Sequence, residues 1–134
     1  MIEYIQNFIK KRFENDSNVY FSDQYIYTLY KKIKSENYNI TDIFDSLNVL
    51  NVELYINETK VESNEKFGEI LRIIRKNNNI TRLDLLTEKD ISFTITNKVE
   101  SGKNCKKENL KKYLDCFPNI KFELKINQFY ETVN

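Results

Sequence analysis

Three carboxylates and one lysine are the residues of this chain whose types and spacing could do chemistry. Glu123-Leu124-Lys125 sets an acid and an amine two apart, hence on one face of a strand, with Asp115 upstream and Asp84 further back. Two acids can hold Mg²⁺ while a lysine activates water or stabilises the charge of a phosphate. The rest of the chemical repertoire is thin. With no His, the usual general base, the Ser-His and Cys-His nucleophile pairs and most zinc sites are missing. The two glycines, Gly68 and Gly102, cannot build a P-loop or a G-x-G-x-x-G turn, and the two cysteines do not form a C-x-x-C. No cofactor is expected, and no metal outside the Asp84, Asp115, Glu123 and Lys125 set.

That set resembles the D…(D/E)-x-K arrangement of restriction-type nucleases. The resemblance implies Mg²⁺-dependent cleavage, with Asp84 or Asp115 and Glu123 as metal ligands and Lys125 beside the water. The competing reading is a solvated strand, on which alternating Glu and Lys is the ordinary pattern. The solvated strand is preferred, because Asp115 belongs near a helix end and not on a strand beside Glu123.

Binding is better supported than catalysis. Of nine tyrosines, Tyr4, Tyr20, Tyr25, Tyr27, Tyr30 and Tyr38 fall in the first forty residues, more than a small core should take. Tyrosine supplies contact area at low entropic cost, so Tyr25, Tyr27 and Tyr30, with Tyr55 further on, are candidates for a partner-binding surface. A codon bias toward Asn, Lys, Ile, Phe and Tyr is the rival explanation. That bias points to an AT-rich genome: a phage, another virus, a mobile element or an AT-rich microbe. From Lys98 to Lys112 six lysines face two glutamates; Lys106, Lys107 and Lys111 could meet an anion or an acidic partner, but a solvated loop and helix face is the preferred reading. The global charge argues against a polyanion: 21 Lys and Arg against 20 acids leave a net +1.

The elements that must position these residues follow from periodicity. Ile2, Ile5, Ile9 and Phe13 mark one helix face; Ile26, Leu29, Tyr30 and Ile33 mark a second after Ser22; Ile43, Phe44, Leu47 and Leu50 mark a third after Thr41. From Asn51 the period drops to two. Val52, Leu54 and Ile56 predict a strand ending near Thr59, and Phe67, Ile70, Leu71 and Ile74 a helix capped by Ser63 or Asn64 and stopped at Asn77 to Asn79. Leu83 and Leu85, then Ile91, Phe93 and Ile95, alternate either side of "TEKD" and read as an antiparallel hairpin. After the loop "NKVESGKN" comes a helix with Leu110, Tyr113, Leu114 and Phe117 inward and Pro118 past its end, and then a strand through Ile120, Phe122, Leu124 and Ile126. Cys105 and Cys116, eleven residues apart in that helix, should be free thiols.

The fold class is therefore α+β, as one domain over residues 1–134 with a helical subregion at 1–50 and a sheet subregion at 51–134. The order from residue 51, β-α-β-β-α-β, resembles a ferredoxin-like two-layer sheet. RNA-recognition motifs share that order and stack bases on aromatics; "LYIN" at Leu54 to Asn57 resembles one of their signatures, but the third strand offers only Ser92, Thr94 and Thr96. A second alternative is a short leucine-rich-repeat-like α/β fold: Val49, Val52, Leu54 and Asn57 fit its L-x-x-L-x-L-x-x-N frame.

These residues favour a small non-enzymatic protein-binding module, an inhibitor, immunity or adaptor factor. Its partner is another protein, with a homodimer as the other arrangement the pattern allows. The alternatives are the Mg²⁺ nuclease and an RNA-binding ferredoxin-like domain. No membrane span or secretory leader is legible, so a cytoplasmic location is expected.

Overall fold

The computed structural model describes residues 1–126. Its class is α+β, with eight helices and one three-stranded antiparallel sheet. The N-terminal helices are α1 (Ile2–Asn15), a single turn α2 (Ser17–Tyr20), α3 (Gln24–Lys34) and α4 (Ile40–Leu50). The apolar faces read from spacing are the buried ones: Ile2, Ile5, Ile9 and Phe13 on α1, Leu29, Tyr30 and Ile33 on α3, and Ile43, Phe44, Leu47 and Leu50 on α4. The caps lie elsewhere than expected. Asp23, not Ser22, accepts from the Tyr25 and Ile26 amides to start α3, and Asn39, not Thr41, forms a capping box with Asp42 to start α4.

Strand β1 (Val52–Ile56) buries Val52, Leu54 and Ile56. It does not run on to Thr59. Asn57 and Glu58 both take left-handed backbone (φ 48° and 69°), a two-residue reversal that returns the chain as β2 (Thr59–Val61) with Leu54 opposite Val61. The third strand, β3 (Phe122–Ile126), pairs antiparallel on the other side of β1, so the sheet order is β2-β1-β3. Between them run α5 (Asn64–Asn77), capped by Ser63 as read from sequence, then α6 (Arg82–Lys89), α7 (Phe93–Ser101) and α8 (Lys107–Leu114).

The ferredoxin-like topology is thus corrected. The expected central hairpin is a pair of helices, and the expected loop at 97–104 holds the end of α7. Short L-x-L and I-x-F-x-I runs are ambiguous between strand and helix, and the local caps decide. Thr81 and Asp84 close a capping box on α6, Asp90 ends it in left-handed backbone (φ 57°), Ser92 accepts from the Ile95 amide to start α7, and Gly102 (φ 68°) ends that helix. Burial follows the helical reading: Leu85, Thr96, Val99 and Glu100 are inside, while Leu83 and Phe93 are exposed. The repeat-like alternative fails as well, since β1 and β3 are antiparallel neighbours and "RLDLL" is helical.

Cys105 and Cys116 do not share a helix: Cys105 precedes α8 and Cys116 follows it, both as free thiols. Burial pushes the Cys105 thiol up to about 12. The buried apolar side chains other than Leu29 form one continuous cluster, from Ile2 on α1 through Leu54 on β1 to Leu114 on α8. Helices α5 and α7 touch at backbone distance. A Cβ on Gly68 would lie 2.5 Å from the Glu100 carbonyl oxygen, so only glycine permits this approach.

Candidate functional site

The carboxylate set is dispersed over three elements, each member with a partner of its own. Asp84 lies on α6, not on the sheet, where its side chain accepts from the Thr81 amide; those hydrogen bonds hold its carboxyl below the usual range. Asp115 caps the end of α8 and pairs with Lys111 at 3.2 Å. Glu123 and Lys125 do share the outer face of β3, 3.8 Å apart. There Lys125 sits 4.4 Å above the Tyr55 ring, and the Tyr55 hydroxyl donates to Glu53 at 2.8 Å. That hydrogen bond, with Lys60 at 3.3 Å, keeps the Glu53 carboxyl below its ordinary value. This is a neutralised strand face. Among the described residues no three His, Cys, Asp or Glu side chains converge to hold a metal.

Three of the six lysines of the 98–112 stretch are similarly engaged. Lys107 pairs with Glu36 at 2.9 Å, Lys111 with Asp115 and Glu3, and Lys112 donates to the Asp90 carbonyl at 2.7 Å. Lys106 occupies the cap position of α8, its backbone bridged to Asn39.

Several of the tyrosines are taken into the fold, mostly against phenylalanines. Tyr30 is buried, its hydroxyl donating to Glu14, and Tyr38 is buried with its hydroxyl on Gln6 at 2.9 Å. Tyr27 is half-buried against Phe21 and Tyr30, with Lys31 over its ring. Of the candidate tyrosines only Tyr25 stands well out, 58% exposed and 3.4 Å from Asp45; Tyr4 is comparably exposed against Phe122. Tyr27 and Tyr30 are thus taken in by edge-to-face contacts with Phe21 and Phe13 beneath the stems of Lys31 and Lys34.

A different site was not legible as one. Between the last turn of α5 and the first of α6 lies an open hollow of about 650 Å³, around which Arg72, Arg75, Lys76, Arg82 and Leu83 are arranged and no acidic residue is found. Its floor is Arg75. This guanidinium is buried and held bidentate by Glu100 of α7, Nε to Oε2 at 2.6 Å and Nη2 to Oε1 at 3.0 Å, while Nη1 donates to the Ile80 carbonyl at 2.9 Å. The buried Tyr113 hydroxyl of α8 donates to the same Glu100 oxygen at 2.6 Å. Glu100 raises the Arg75 pKa through those hydrogen bonds, and burial, then the bond to Glu100, raises that of Tyr113.

The rim is of another kind. Arg72, Lys76 and Arg82 are exposed and make no ion pair among the described residues, and Leu83 beside them is 58% exposed. The sequence signal was the capping box Thr81-x-x-Asp84, which makes Arg82 the first residue of a helix and turns Leu83 outward. Comparison of the chain with protein-family models, with curated proteins and with solved structures returns no match in any of the three.

Proposed function

We propose that this chain acts by binding another protein without transforming it, as an inhibitor, immunity or adaptor factor does. One observation carries the reading: helices α5, α6 and α7 leave Ile73, Leu83, Leu86 and Phe93 in water, at 47%, 58%, 38% and 46% exposure. The apolar area left in water gains nothing from folding, and it gains free energy when a partner covers it. The sites that would favour catalysis offer less support, because the acids of the E-x-K set are held in caps and ion pairs of the fold itself.

Capture from source cells with the full chain, followed by titration of the purified partner in a calorimeter, tests this. The expected result is a saturable 1:1 complex from which the partner is recovered chemically unchanged. A partner returned cleaved or modified, or no saturable partner at all, overturns it.

A further inference from the structure

We infer that the hollow between α5 and α6 docks an acidic segment of a partner protein that carries an apolar anchor residue. This rests on the protein-binding reading and specifies the partner's chemistry. Two neighbouring side chains on the rim are placed against the interest of the fold. Arg82 stands at the first position of α6, where the positive end of the helix dipole disfavours a cation, and Leu83 points into water. A chain selected for stability alone would place an acid and a polar residue there.

Arg72 and Lys76, one turn apart on α5, face the same space, so three uncompensated cations surround one exposed leucine. The buried Arg75–Glu100 pair beneath them is internally neutral and fixes α5 against α7 without competing for the ligand. Charge complementarity therefore calls for carboxylates, and Leu83 with Leu86, three residues on and on the same face of α6, calls for an aliphatic or aromatic side chain among them. A nucleic-acid strand fits less well. Among the described residues no aromatic lines the hollow to stack on a base, and a chain of net charge +1 lacks the long-range field that gathers polyanions.

The test is a nuclear magnetic resonance titration of the ¹⁵N-labelled full chain. The probe is a synthetic peptide of Asp and Glu with two leucines; the controls are the same peptide with serines for leucines and an oligothymidine. Saturable amide shifts confined to residues 72–86 are expected with the leucine peptide, weakening as salt is raised. The doubly exposed variant R72E/R82E, checked as folded by its circular dichroism, should lose about tenfold or more in affinity, and Leu83→Ser a smaller but clear factor. Scattered or absent shifts, equal binding of the serine peptide, or tighter binding of the oligothymidine each overturn the inference. If a captured partner binds R72E/R82E as tightly as the parent chain, the docking site falls while the protein-binding reading stands. If no captured partner is found, that reading falls on its own test.

Discussion

The floor and the rim of the α5–α6 hollow carry the same residue type and put it to opposite uses. Arg75 is buried, clamped by Glu100 and braced by Tyr113, and joins α5, α7 and α8. Arg72, one turn earlier, and Arg82, seven residues later, reach solvent with no ion pair among the described residues. The difference lies in what stands opposite. An arginine facing a neighbouring helix that supplies a carboxylate becomes part of the fold, and one facing the open corner remains available.

If the floor is structural, breaking it should produce the largest effect in the molecule. Glu100→Ala leaves a buried guanidinium without its counter-charge and the Tyr113 hydroxyl without its acceptor. Removing one partner of a buried pair costs about 3–5 kcal/mol, so urea unfolding should show that loss, and replacement of both members by apolar residues of similar volume should recover most of it. Gly68→Ala acts on the same joint from the backbone side. Its methyl would press on the Glu100 carbonyl at 2.5 Å, where no flexible side chain can yield, and a cost of about 3 kcal/mol is expected. If calorimetry shows Gly68→Ala unfolding at the parent temperature, the close approach of α5 and α7 is wrong.

Tyr113→Phe is the milder probe. At neutral pH it removes one hydrogen bond to a charged group, worth about 1.5 kcal/mol or somewhat more. Its signature is alkaline. Tyr113 and Tyr38 have pKa values raised chiefly by burial, and Tyr30 is pushed up to about 12 by burial and then by its bond to Glu14. An unfolded tyrosine releases its proton near pH ~10 while these keep theirs in the folded state, so the folded chain binds more protons there and stability falls as pH rises past that value. Melting temperatures of parent and Tyr113→Phe should therefore converge as pH is raised above about 10. Parallel curves would mean that Tyr113 titrates alike in both states.

How much of this was legible follows the same division. Helices α1, α3, α4, α5 and α8 and strands β1 and β3 could be read because long apolar stripes or clean alternation admit one period only. The segment from Ile80 to Gly102 could not. Its apolar runs are four or five residues long, and the deciding information sits in Thr81, Asp84, Asp90 and Ser92, residues that also suit the ends of a strand or a turn. The hairpin at Asn57-Glu58 escaped because the second position lacks the glycine that usually announces such a turn. Charge could be read only in part, for a related reason. The dense lysines of 98–112 were visible, but not the carboxylates of Glu3, Glu36 and Asp115 that meet them, whereas Arg72, Lys76 and Arg82 are scattered in sequence and gathered only by the α5–α6 corner.

The smallest effect on stability should come from the rim, and that makes it the sharpest test of the contrast. Lysine at the end of α5 is favoured by the helix dipole, so Lys76→Gln should cost a few tenths of a kcal/mol at about the low end for a terminal charge. Arg82→Gln removes a cation from the wrong end of α6 and should be neutral or slightly stabilising, within about 0.5 kcal/mol. The two substitutions thus differ in sign while removing the same charge. Urea midpoints at low salt would show it, and the gap should close as salt screens the dipole. An Arg82→Gln chain that loses as much stability as Glu100→Ala would place Arg82 among the structural arginines, and the distinction between floor and rim would be lost.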